Sequence, residues 1–163
     1  QPFTADVSAC SLIITSPDPV IVSTGVTLKI TNAVTTNGQL TFKNNSSLVQ
    51  INNVANTGDI YYERTSPPIF QKDYLYWSTP VSPQRLIDVS PFTTSTKYFG
   101  NDGTQWVQTN RTNNMVTGKG YIIRGPDTYN NLTRQTFTAL FKGVPNNGDL
   151  QGEVLIAGNY HLI

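Results

Sequence analysis

Apolar residues in this chain come in short bursts separated by turn formers. Between Leu12 and Tyr62 the bursts are Leu12-Ile13-Ile14, Val20-Ile21-Val22, Val26-Thr27-Leu28-Lys29-Ile30, Leu40-Thr41-Phe42, Leu48-Val49-Gln50-Ile51 and Ile60-Tyr61-Tyr62. Several alternate with period two, as Val26/Leu28/Ile30 and Leu40/Phe42 do, which sets the apolar side chains on one face of a strand. Between them lie Ser16-Pro17-Asp18-Pro19, Ser23-Thr24-Gly25, Asn37-Gly38, Asn44-Asn45-Ser46-Ser47 and Asn56-Thr57-Gly58. A strand is therefore expected about every eight to twelve residues.

Two architectures fit that spacing. One is a sandwich of hairpins, and Asn37-Gly38 is a hairpin signal because both residue types accept positive φ. The other is a short parallel β-solenoid, whose coils stack and bury a continuous apolar column. The phrases Gly25-Val26-Thr27-Leu28-Lys29-Ile30 and Gly38-Gln39-Leu40-Thr41-Phe42-Lys43 share a frame about 13 residues apart, which favours coils. The pattern leans to a β-solenoid-like segment and leaves hairpins open.

Proline clustering at Thr65-Ser66-Pro67-Pro68 predicts a boundary, dividing the chain into residues 1–66 and 67–163. The second segment holds both tryptophans and most of the Tyr and Phe. Its predicted strands are Tyr74–Ser78, Arg85–Val89, Lys97–Phe99, Gln105–Gln108, Gly120–Arg124, Thr136–Phe141, Gly152–Ile156 and Tyr160–Ile163. Asn101-Asp102-Gly103 and Pro145-Asn146-Asn147-Gly148-Asp149 supply turns. Short strands joined this way predict an aromatic-rich, jelly-roll-like β-sandwich and an all-β chain without helix. The last predicted strand stops midway, which reads as truncation.

Composition narrows the function. Only 13% of the 163 residues are charged and the net charge is +1, so no basic field for nucleic acid is present. No apolar run approaches the ~20 residues of a bilayer span. Gln1-Pro2-Phe3 reads as the start of a mature chain after signal cleavage. Cys10 is the single cysteine, which rules out an intrachain disulfide. It is expected to be a small buried residue beside Leu12 and Ile14.

Candidate chemistry is sparse. His161 stands alone, Gly118-Lys119-Gly120 lacks the spacing of a phosphate loop, and no Gly-x-Ser-x-Gly elbow occurs. The carboxylates lie mostly in turns, and Asp73 and Asp88, which do not, are read as structural. Asn101-Asp102 and Asn146-Asn147-Asp149 carry oxygens of the kind Ca²⁺ takes, with a hairpin turn as the preferred reading. No catalytic residue, metal or cofactor is expected. The aromatic group Tyr74, Tyr76, Trp77, Tyr98, Phe99 and Trp106 must supply at least one core face. Trp77, Trp106, Tyr76 and Tyr98 are the candidate platforms for sugar stacking, with cell-surface or environmental glycans as ligands.

A series of phrases then carries a resemblance. Asn44-Asn45-Ser46-Ser47-Leu48-Val49-Gln50 is followed by Asn53-Val54-Ala55-Asn56-Thr57-Gly58-Asp59-Ile60, Arg64-Thr65 and Asp73-Tyr74-Leu75-Tyr76-Trp77-Ser78-Thr79-Pro80-Val81. Later come Lys97-Tyr98-Phe99, Trp106, Met115-Val116-Thr117-Gly118-Lys119-Gly120-Tyr121-Ile122-Ile123-Arg124, Phe141-Lys142-Gly143-Val144-Pro145-Asn146-Asn147-Gly148 and Gly158-Asn159-Tyr160-His161-Leu162-Ile163. Over residues 25–163 the chain resembles a module of large secreted proteins of Bacteroidota, flavobacteria above all. Those proteins end in a type A sorting domain read by the type IX secretion system. The resemblance implies secretion or attachment to the outer cell surface, with the type IX machinery as partner. It brings no catalytic signature. The expected function is a non-catalytic extracellular structural or adhesive module, and the alternative is a carbohydrate-binding module using exposed rings.

Overall fold

The computed structural model describes residues 2–150 together with Ala157 and Gly158. In chain order the first strands are β1 (Pro2–Phe3), β2 (Val7–Ala9), β3 (Leu12–Ile14), β4 (Val20–Val22), β5 (Thr27–Ile30), β6 (Val34–Thr36), β7 (Leu40–Phe42), β8 (Ser47–Gln50) and β9 (Ile60–Thr65). Then come β10 (Tyr74–Trp77), β11 (Val81–Ser82), the single-turn helix α1 (Leu86–Val89), β12 (Tyr98–Asn101), β13 (Trp106–Gln108), β14 (Tyr121–Arg124) and β15 (Thr138–Pro145). Contacts divide the chain into two units. The first runs to Arg64 and takes in Pro80–Pro83 and Leu140–Leu150; the second holds Thr65–Thr79 and Gln84–Ala139. The division falls after Arg64, near the proline cluster, but two later segments return to the first unit.

The first unit is a parallel β-solenoid. β1, β4, β7 and β9 pair in parallel, as do β2, β5 and β8, and β3 with β6. Val20 pairs with Leu40 and Leu40 with Ile60, so one coil takes 20 residues. The repeat is therefore 20 residues, and the 13-residue frame expected from Gly25 and Gly38 is corrected. Those two glycines occupy different corners. Gly25 (φ 80°) stacks with Asn45 (φ 63°), while Gly38 (φ 89°) stacks with Gly58 (φ 84°). Asn37-Gly38 turns a coil corner and makes no hairpin: the Asn37 amide donates to the Ser16 carbonyl one coil away.

Alternation explains what fills the coils. Val22, Leu28, Ile30, Val34, Leu40, Phe42 and Ile60 point inward and are at most 1% exposed. Each buried side chain of this kind contributes roughly 1.5–3 kcal/mol. Phe42 stacks on Tyr62 with centroids 4.5 Å apart. Corners are tied by amides: the Asn52 side chain donates to Asn32 Oδ1, and Gln50 and Asn56 exchange hydrogen bonds. Cys10 lies at such a corner, its carbonyl accepting the Asn32 N–H. It is exposed, not buried as expected, because Val7, Ala9, Leu12 and Ile14 take the inward positions of that coil.

The stack closes beyond β8. The Leu48 N–H donates to the Tyr62 hydroxyl at 2.8 Å. The Arg64 guanidinium donates to the Ser46 carbonyl at 2.9 Å and lies 4.4 Å over the Tyr62 ring. Beside β9 the sheet continues into antiparallel β15 and β11.

The second unit holds a four-stranded antiparallel sheet in the order β10-β14-β12-β13. Tyr98, Tyr121 and Ile123 are buried on one side of it, and Ile69, Leu86, Val89, Met115 and Phe137 complete the buried apolar set. The expected strand Arg85–Val89 is a helical turn instead. Leu86 and Val89, three apart, are its buried residues, and Arg85 pairs with Asp88 through two 2.8 Å hydrogen bonds. The predicted strands at 152–156 and 160–163, with His161, lie outside the described residues. Among the described residues no helix is long and apolar enough to cross a membrane.

Two outcomes follow from this packing. A Cβ on Gly58 would sit 1.8 Å from the Thr36 carbonyl oxygen, whereas one on Gly25 meets nothing within 4 Å. Both have positive φ, which costs an L-residue about 1–2 kcal/mol. Gly58→Ala should therefore lower the urea midpoint well beyond Gly25→Ala; equal losses would contradict the corner packing. Burial also pushes the Tyr62 and Tyr98 phenols above their ordinary pKa of 10.0. A pKa raised in the folded state leaves stability intact below pH 10 and removes it as pH climbs through the raised value. Urea midpoints should fall above pH 10, and Tyr62→Phe should flatten that fall.

Candidate functional site

β10 reads Tyr74-Leu75-Tyr76-Trp77, aromatic on both faces of one strand. Pairing decides which rings share a face. Tyr76 lies opposite Ile122, Ile122 opposite Phe99, and Phe99 opposite Gln108. One step along, Tyr74 lies opposite Arg124 and Asn101 opposite Trp106. Tyr74, Tyr76, Ile122, Phe99 and Trp106 therefore occupy a single face of the sheet. Tyr74 meets Phe99 edge-on at 5.9 Å, and Tyr76 tilts against Trp106 at 6.1 Å. The rings lean together in pairs and still meet solvent: Tyr76 is 66% exposed, and Tyr74 and Trp106 are 37% exposed each.

The opposite face holds the other two candidates. Tyr98 is fully buried, and its hydroxyl donates to the Ser90 carbonyl at 2.5 Å. No sugar can stack on it, so its candidacy is withdrawn; the phenol is a core residue with its one polar atom satisfied. Trp77 is half-buried, its ring edge-on to Phe137 at 6.0 Å. The structure thus brings Tyr76 and Trp106 together and separates Trp77 and Tyr98 from them. Tyr74, Phe99 and Ile122 join the exposed face. Their signal in the sequence was apolar character at every position of Tyr121-Ile122-Ile123, which fits a strand whose two faces are both apolar.

Polar groups around this face are held by local bonds. The hairpin from β12 to β13 is built on Asp102, whose Oδ1 accepts hydrogen bonds from the Thr104 N–H, the Thr104 hydroxyl and the Gln105 N–H. Those donors, Gln105 first, lower its pKa to about 2. Asn101 Oδ1 accepts from the Gly103 N–H at 2.7 Å. These oxygens stabilise a turn, as the hairpin reading expects, and among the described residues no three His, Cys, Asp or Glu side chains gather as a metal site. Arg124 pairs with Asp127 and donates to the Thr94 hydroxyl. The Thr94 hydroxyl, ahead of Arg124, holds the Asp127 carboxyl below the usual range. Asp73 and Asp88 are structural: Asp73 accepts the Phe70 N–H and Asp88 pairs with Arg85.

Chemically, the arrangement offers flat π faces and aromatic edges on a rigid sheet. Such a surface can take up another apolar or C–H-rich face, and the exposed rings lose little conformational entropy in doing so. No curated protein matches this chain. No solved structure matches it. A family model described as "Domain of unknown function (DUF8693)" matches residues 2–161, nearly the whole length, and the chain belongs to that family.

Proposed function

We propose that this chain is a non-catalytic structural and adhesive module of a larger extracellular surface protein, of the kind that the type IX secretion machinery exports. The observation that carries the adhesive role is the ring face of the second unit. Contiguous apolar surface left open on a sheet marks an interaction site, and here four aromatic rings are gathered on one face. A solenoid stacked from 20-residue coils suits the structural role, since each coil needs only its neighbours for stability. The resemblance to secreted proteins of Bacteroidota supports the location outside the cell.

The exposure of Tyr76 and Trp106 favours a more specific version, in which the face binds carbohydrate. The axial C–H groups of a pyranose give it an apolar side that lies flat on such rings, while its hydroxyls stay hydrated at the rim.

A glycan array probed with the labelled chain tests this version. Wild type should bind a subset of glycans, and Trp106→Ala and Tyr76→Ala should each weaken binding by about tenfold or more, the scale of a hot-spot ring. Both variants should keep the wild-type melting temperature within a few degrees, because these rings are exposed. Binding that survives the double substitution would remove the ring face from the function.

A further inference from the structure

The first coil ends the solenoid with its interior uncovered. Phe3, Val7, Ala9, Leu12 and Ile14 pair in register with Val22, Leu28, Ile30, Val34 and Thr36. Those second-coil residues are at most 7% exposed, whereas all five first-coil residues are half-buried. Side chains aimed into the column meet solvent through its open end. β1, β2 and β3 are also the edge strands of their sheets among the described residues. Proteins commonly guard such edges with Lys or by covering them, but no Lys or Arg precedes Lys29. Of the nearby carboxylates, Asp6 is engaged by the Thr27 N–H.

We propose that this end is an interface and that its occupant is the same end of a second copy of the chain, coil against coil about a two-fold axis. Coil-on-coil stacking is the contact the unit already makes twice, from the first coil to the second and from the second to the third, so the new interface continues an existing one. A head-to-tail stack is closed off, because Tyr62 occupies the Leu48 N–H and Arg64 the Ser46 carbonyl at the other end. The open end of another copy offers what is missing here: a matching apolar layer and strand edges with unpaired amides. Such a contact is self-complementary and closes at two subunits.

Sedimentation equilibrium of the full chain tests the proposal. The weight-average mass should rise with concentration from 18.0 kDa toward twice that value. Leu12→Lys, which places a charge in the layer, should hold the chain at the monomer mass, while Tyr76→Ala/Trp106→Ala should still dimerise. Should Leu12→Lys fail to fold by circular dichroism, hydrogen exchange of the wild type decides: amides of residues 7–9 and 12–14 should exchange more slowly as concentration rises. A monomer at all concentrations overturns the proposal. So does a dimer that the ring-face double variant abolishes, or one whose first-coil amides exchange at a rate independent of concentration.

Discussion

Register between parallel coils is the constraint on which the first unit depends. Each inward side chain sits over a counterpart one coil away, so Val22, Phe42 and Tyr62 form one column and Leu28 and Leu48 another. A shift of one residue would turn every inward side chain outward, and that penalty pins the register. The corners follow from it. Thr36 and Gly58 approach so closely that only a glycine fits, and the amides of Asn32, Asn52 and Asn56 satisfy one another where the backbone turns.

Much of this was legible in the chain. Period-two bursts gave strands at nearly the observed places, and Gly, Asn and Ser marked the corners. The repeat length was not legible, for a physical reason. The left-handed corner is filled by Gly25 in one coil and Asn45 in the next, because both residue types tolerate that backbone. A search for repeated glycine therefore matched Gly25 to Gly38, which is another corner. Asn37-Gly38 misled in a similar way, since positive φ at a glycine serves a coil corner as well as a hairpin. The turn at Leu86–Val89 was hidden because apolar Leu86 and polar Asp88 also read as strand alternation.

The ring face was half legible. Alternation separates Tyr76 from Trp77 and Tyr98 from Phe99, yet it does not say which member of each pair meets solvent. Pairing with β14 settles that, because Ile123 and Tyr121 are buried on one face and Ile122 lies among the rings on the other. The second unit thus invests aromatic side chains on both faces of four strands, one face for stability and one for contact.

The 20-residue coil has a further consequence for how such a chain can vary in length. A few residues added within a coil would throw Leu40 out of line with Val20 and Ile60, whereas a whole coil slips in without disturbing its neighbours. Viable length variants should therefore differ by complete coils, each extending the stack by the strand spacing of about 4.8 Å. Distance along this unit is counted in coils, so the molecule carries its own ruler.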